Sequence, residues 1–328
     1  MTYSPDQQQQ PAFWERRRIL NAAHFVGFGL VLMLAISTAY GVLFNAVTTV
    51  FPSLAKSAAF TSPVMQFLLT EIIPYILTIG LPFFLVSIWM REPIRPFKRH
   101  ESVEPSWFVL IILVGLSAFS IANLFTDGII VVWKAIGLPL PDLTGDQDGT
   151  TVSLLFNLIS VALLPAILEE MSFRGFVLEK LRPFGDRFAV LMSAALFGVL
   201  HGNVVQIPFA FILGLFFGYI TVRTNNIFIA IFLHFVNNGV SVLFDYAQLV
   251  IPDMAKALYV VWFLCVLLAG TVAVLTMARN SHPLLTPLSA ADSPIKPMKK
   301  HAIFWSSPFM ITSVILLIVN FVMNIIGV

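Results

Sequence analysis

Charged side chains are scarce in this chain. Of its 328 residues, only 11% are charged, whereas 58% are hydrophobic. Soluble domains carry roughly 25% charged residues, and the mean hydropathy of +0.89 is typical of a chain that folds in hydrocarbon. We therefore expect an integral membrane protein without a soluble domain of any size.

Cysteine is almost absent. The single Cys265 lies in an apolar run, which excludes an intrachain disulfide and leaves the redox compartment undetermined. The net charge is only +2, and no basic cluster resembles a nucleic-acid binding surface. The lipid bilayer is the expected partner, and nucleic acid is not.

Long apolar runs fill most of the sequence. A helix needs about 20 apolar residues to cross the hydrocarbon core of a bilayer. Such runs occur near residues 22–50, 64–90, 107–133, 152–180, 187–203, 206–222, 227–246, 257–278 and 302–327. The pattern predicts an all-α fold, a polytopic membrane bundle of about nine transmembrane helices.

The same pattern divides the chain into four parts. We expect a cytoplasmic N-terminal tail at 1–21 and a helical bundle at 22–279. A cytoplasmic connector containing proline and lysine follows at 280–301, and an additional C-terminal membrane helix at 302–328.

The distribution of basic residues indicates the orientation. With nine spans, 16 of the 19 Lys and Arg residues fall on one side of the membrane and 3 on the other. Cytoplasmic loops carry the excess of basic residues, so the N-terminus is predicted to be cytoplasmic. The minority side contains Lys56, Lys134 and Lys256.

Ionisable residues inside membrane segments are costly and usually functional. Three neighbouring spans contain polar residues in short motifs: EEMSFR, FGVLH and HFVNN. On a helix, Glu170 and Arg174 are four residues apart and share a face, which suits an ion pair. Glu169 points about 100° away from Glu170, since a helix turns once in 3.6 residues, and is left freer to face a cavity.

The polar residues of the three spans lie at similar depth. A helix rises about 1.5 Å per residue, which places Glu169 roughly 16 Å from Lys180 and His201 roughly 21 Å from Arg187. By the same rise, His234 lies roughly 16 Å from Arg223. Because these basic residues are predicted at the cytoplasmic boundary, the polar groups are expected to form one site.

This set of side chains is suited to activating water against a carbonyl group. Glu169 is the predicted general base, and His201 would help to hold or activate the water. His234 and Asn238 would donate hydrogen bonds to the oxyanion. Supporting roles are predicted for Arg174, which fixes Glu170, and for Phe197, which packs beside His201.

A metal ion is the rival use of the same atoms. Two histidines and one glutamate form a familiar catalytic zinc set, which would consist of Glu169, His201 and His234. These residues come from three helices, and the chain has no HExxH pair to preorganise them. The preferred mechanism requires no cofactor, and zinc is the alternative.

The three motifs together resemble those of the CPBP family, the CAAX proteases and bacteriocin-processing enzymes. EEMSFR is similar to the family's EExxxR, FGVLH to its FxxxH and HFVNN to its HxxxN, in the same order over residues 169–238. The resemblance implies an intramembrane endopeptidase similar to the type II CAAX prenyl endopeptidase. It also implies a catalytic core at about 150–247, a cavity open toward the cytoplasm and Glu169 as the catalytic residue. Family members have been described both as metalloproteases and as glutamate-dependent enzymes.

Substrate and oligomeric state are not encoded in any motif. The resemblance allows a prenylated CAAX-like substrate or a bacteriocin- or pheromone-type peptide, and we expect a bacterial plasma membrane as the location. Two alternatives remain open: a non-enzymatic membrane binding or immunity protein of the same fold, and an ion-coupled transporter. No repeated half supports the transporter. GxSxG, HExxH and GxGD motifs of other intramembrane proteases are missing.

Overall fold

The chain forms helices and no strand within the residues that the computed structural model describes, which are 5–91, 94, 103–140, 148–289 and 292–326. Three of the basic residues counted for orientation, Arg95, Lys98 and Arg99, lie outside these ranges. The main helices are α1 (Pro5–Val50), α2 (Pro63–Trp89), α3 (Pro105–Ala135), α4 (Thr151–Phe184), α5 (Asp186–Leu200), α6 (Gln206–Thr224), α7 (Ile227–Val250), α8 (Pro252–Arg279), α9 (Pro297–Trp305) and α10 (Pro308–Ile326).

The chain is an integral, multi-pass membrane protein. Among the described residues, seven helices are long and apolar enough to cross a membrane: α1, α2, α3, α4, α6, α7 and α8. Helices α9 and α10 add an eighth span if the bent pair is counted as one. Helix α5 has only 15 residues, a length of about 22 Å against a core of about 30 Å. The predicted count of nine spans is therefore not confirmed.

Both ends of the chain differ from the expected boundaries. Helix α1 begins at Pro5, well before the predicted membrane segment. The predicted last span is broken, because Pro308 starts a new helix at an angle of 74° to α9. Lys300 at the end of the predicted connector is buried, pairs with Glu15 at 3.2 Å and donates to the Phe184 carbonyl at 2.8 Å. The connector is thus tied to α1 and α4.

Two apolar cores meet in the middle of the bundle. One contains buried side chains of α1, α2, α4 and α5, and the other those of α3, α6 and α7. Phe197 belongs to the first core and Phe217 to the second. The polar residues of interest lie where these two cores adjoin.

Helices α2 and α4 each contain two π-helical segments. In α2 they are Leu68–Ile72 and Ile76–Gly80, and in α4 they are Leu158–Leu163 and Phe173–Leu178. Each pair encloses a short α-helical stretch that contains a proline. Proline lacks a backbone N–H and so interrupts the regular hydrogen bonds within a helix. Such π-bulges are frequent at functional sites.

Helix α1 packs directly against the backbone of α10 at Gly27. A Cβ atom there would lie 2.6 Å from the Met310 nitrogen and 2.7 Å from the Phe309 carbonyl carbon. The same helix also contains Gly41, where a Cβ would meet no atom of the described residues within 4 Å. Of these two positions, only Gly27 therefore requires glycine for packing.

We expect Gly27→Ala to destabilise the protein by about 1–3 kcal/mol through overpacking. Gly41→Ala should be neutral or slightly stabilising, because alanine is the better helix former. Thermal unfolding of both variants in detergent measures the difference. Equal melting temperatures for the two would contradict the close contact between α1 and α10.

Candidate active site

A fully buried carboxylate, that of Glu170, joins α4 to α7. Its Oε1 atom accepts hydrogen bonds from Nη1 of Arg174 at 2.8 Å and from Nδ1 of His234 at 2.9 Å. Glu170 and Arg174 are both 0% exposed, and His234 is 4% exposed. The ion pair expected from the four-residue spacing is present. The contact with His234 was not anticipated.

The guanidinium group of Arg174 is enclosed by aromatic rings. It lies 4.4 Å from the ring centre of Phe197 and 5.3 Å from that of Phe217, within the range of cation–π attraction. Its Nη2 atom donates to the Gly214 carbonyl of α6 at 3.2 Å. Arg174 therefore links α4, α5 and α6 as well as neutralising Glu170.

The imidazole of His234 is oriented from three sides. Its ring stacks on Phe217 at 5.2 Å and meets the edge of Phe197 at 6.1 Å. Because a carboxylate can only accept hydrogen bonds, the Nδ1 atom facing Glu170 is the donor. The other ring nitrogen, Nε2, lies 3.8 Å from Oε2 of Glu169.

Glu169 is also buried, with 7% of its surface exposed. Its Oε1 atom accepts a hydrogen bond from the hydroxyl of Tyr75 in α2. Its Oε2 atom faces His234 across the 3.8 Å gap. The two oxygens of this carboxylate thus have different neighbours, one on α2 and one on α7.

His201 lies near the same aromatic ring but makes no polar contact with the glutamates. It follows the last residue of α5, donates from Nδ1 to the Phe197 carbonyl at 2.8 Å and packs 5.0 Å from the Phe197 ring. Its polar contacts within the described residues do not include Glu169 or His234. Within this part of the chain, no three His, Cys, Asp or Glu side chains are grouped to hold a metal ion. As they stand, Glu169, His201 and His234 do not form a zinc site.

Asn238 connects α7 to the first π-helical segment of α4. Its Nδ2 group donates to the Val161 carbonyl at 2.9 Å, and its Oδ1 accepts from Asn237 at 2.8 Å. An amide group has two N–H donors, so one remains for a further acceptor.

An apolar groove runs beside the site between α2 and α4. It encloses about 240 Å³. Leu168 and Ser172, which lie on either side of the glutamate pair in sequence, line it together with Ile76, Gly80 and Phe84. The groove gives the site an apolar neighbour.

Sequence patterns did not point to two residues of the site. Tyr75 lies 94 positions before Glu169, and its only local signal is the neighbouring Pro74 in an otherwise apolar span. Asn237 was overlooked although it adjoins Asn238, because the four-residue spacing favours His234 and Asn238 on one face. It is 6% exposed and holds the Asn238 amide.

We expect Arg174→Met to cost about 3–5 kcal/mol of unfolding free energy, because it leaves Glu170 buried without its cation. Arg182→Met is the matched control on the same helix. Arg182 pairs with Glu179 and Asp186, but these side chains are 16–26% exposed, and exposed pairs contribute about 0–1 kcal/mol. Thermal unfolding in detergent compares the two. Similar losses of unfolding free energy in the two variants would contradict a large contribution from the buried Glu170–Arg174 pair.

Residues 151–240 match the family model described as Type II CAAX prenyl endopeptidase Rce1-like. Neither a curated protein nor a solved structure matches the chain. The matched stretch includes Glu169, Glu170, Arg174, His201 and His234. Through this stretch, the chain is similar to the CAAX proteases of the CPBP family.

Proposed function

We propose that the protein is an intramembrane endopeptidase that hydrolyses a peptide bond with water activated by Glu169. The observation that carries the proposal is the approach of Glu169 and His234 to 3.8 Å in a buried polar site. This approach lies within the family-matched region. A pair at this distance is too far apart for a direct hydrogen bond, and water commonly bridges such pairs.

In the proposed reaction, Oε2 of Glu169 removes a proton from water while the water oxygen attacks the substrate carbonyl carbon. The resulting oxyanion accepts hydrogen bonds from the remaining N–H of Asn238 and from the His234 ring. Glu169 then transfers the proton to the leaving nitrogen as the C–N bond breaks. His201, which packs against the same Phe197 ring as His234, would hold the incoming water.

The glutamate mechanism requires no cofactor. A zinc mechanism would use Glu169, His201 and His234, and would need His201 to leave the Phe197 carbonyl and approach the other two. We expect the purified, active protein to contain far less than one zinc per chain and to retain its activity in a chelator. Elemental analysis and an activity assay check this. Stoichiometric zinc, together with chelator-sensitive activity, would replace the glutamate mechanism by the metal mechanism.

The apolar groove beside Glu169 supports a substrate with a hydrocarbon segment near its scissile bond. We propose a prenylated, CAAX-like peptide as the first substrate class and a bacteriocin- or pheromone-type peptide as the second. Peptide chemistry would take place in the membrane, with the N-terminus of the enzyme in the cytoplasm. A bacterial plasma membrane is the proposed location.

The test is cleavage by protein reconstituted into liposomes. A farnesylated peptide with a CAAX-like end and the same peptide without the lipid are incubated with the protein, and mass spectrometry identifies the products. We expect Glu169→Gln to lower the rate by about 10²–10⁴-fold, the usual contribution of a general base. The substitution keeps the size of the side chain but removes its basicity.

Asp245→Asn is the matched control for this test. Asp245 is another carboxylate in a membrane helix, but it lines a cavity between α3, α7 and α8 whose lining does not include Glu169 or His234. It lies eleven residues after His234 on α7, about 16 Å along the helix. Its replacement should leave cleavage unchanged. Wild-type rates for Glu169→Gln would refute the base assignment, and faster cleavage of the unlipidated peptide would favour the second substrate class.

A further inference from the structure

The hydrogen bond from Tyr75 to Glu169 brings a helix outside the family-matched region into the site. Tyr75 belongs to α2, whereas the match covers residues 151–240. Its hydroxyl donates to Oε1 of Glu169, the oxygen that does not face His234. The base of the proposed reaction is therefore held from one side and open on the other.

This division matters because a carboxylate turns easily about its last side-chain bond. That torsion joins an sp³ to an sp² carbon and has a broad, roughly two-fold distribution. A donor fixed on one oxygen restricts the torsion and leaves the second oxygen aimed at the gap beside His234. Within the described residues, Tyr75 is the hydrogen-bond donor that contacts the Glu169 side chain directly.

The backbone of α2 places this hydroxyl. Tyr75 ends the three-residue α-helical stretch Ile73–Tyr75, which lies between the two π-helical segments of the helix. Glu169 lies in the corresponding α-helical stretch of α4, Leu164–Ser172, which is enclosed in the same way. The two stretches that π-helical segments enclose, one in α2 and one in α4, are therefore joined by this hydrogen bond.

A second hydrogen bond ties the same two helices without touching Glu169. The hydroxyl of Ser172 donates to the Ile79 carbonyl at 3.0 Å, about one turn further along each helix. Since α2 and α4 have this other tether, the bond from Tyr75 is not needed merely to hold the helices together. The bond from Ser172 tethers the two helices, whereas the bond from Tyr75 contacts the Glu169 side chain itself.

We propose that Tyr75 is a positioning residue that fixes the carboxylate plane of Glu169 for water activation, an inference that rests on the proposed role of Glu169 as base. Loss of the hydroxyl leaves Glu169 in place but free to rotate. The proton-accepting oxygen then spends less time facing the water. Turnover falls, while substrate binding in the groove is unaffected.

The experiment compares Tyr75→Phe with Tyr40→Phe in liposomes, using the farnesylated CAAX-like peptide. We expect Tyr75→Phe to lower kcat by about 10–100-fold, because small misplacements of a reacting group cost up to about 10²-fold. KM should stay within about twofold of the wild-type value. Tyr40→Phe should leave both kcat and KM unchanged.

Tyr40→Phe is the matched control, because Tyr40 also donates a hydroxyl hydrogen bond to α2, but to the Leu69 carbonyl and away from Glu169. If Tyr75→Phe is too unstable to purify, Tyr75→Leu is the second variant and should lose kcat in the same way. Wild-type kcat in the Tyr75 variant, or an equal loss in Tyr40→Phe, would overturn the inference. An active wild-type protein with an inactive Glu169→Gln variant preserves the proposed function whatever the Tyr75 result. Cleavage by both would instead remove the proposed base.

Discussion

The buried carboxylate of Glu170 is the interaction on which the rest of the site depends. A single oxygen accepts hydrogen bonds from Arg174 and His234, so one charge holds a cation of α4 and an imidazole of α7. Removing such a carboxylate from water is costly unless it is paired and hydrogen-bonded. The enclosing rings of Phe197 and Phe217 keep water away and make both partners necessary. His234 is thereby fixed with its Nε2 atom toward Glu169.

The two adjacent glutamates consequently have separate tasks. Glu170 faces inward and organises the helices, whereas Glu169 lies about 100° round the helix and faces Tyr75 and the open gap. Neighbouring positions on a regular helix cannot share a face, so the pair is well suited to one structural and one chemical carboxylate.

Local spacing predicted much of this arrangement, and long-range contacts did not follow from it. The Glu170–Arg174 pair and the Phe197–His201 contact both span one helical turn, which the sequence shows directly. The contact between Tyr75 and Glu169 depends on how α2 packs against α4, and no periodicity encodes that packing. The same holds for the stacking of Phe217 on His234.

The predicted count of nine spans is not confirmed, for a related reason. Hydropathy detects apolar residues but not helix length, so the short α5 and the break before Pro308 were both counted as full spans. His201 follows the last residue of α5, and its predicted depth assumed a helix that continues across the bilayer. The sequence spacing therefore could not predict where His201 lies relative to the glutamates.

The central claim is that Glu170 acts on the reaction through His234. A double-mutant cycle on kcat/KM with Glu170→Gln, His234→Ala and the double variant tests it most directly, because groups that act as a unit have non-additive effects. The account predicts that the double variant is no slower than His234→Ala alone. Losses that multiply, as for independent groups, would contradict it.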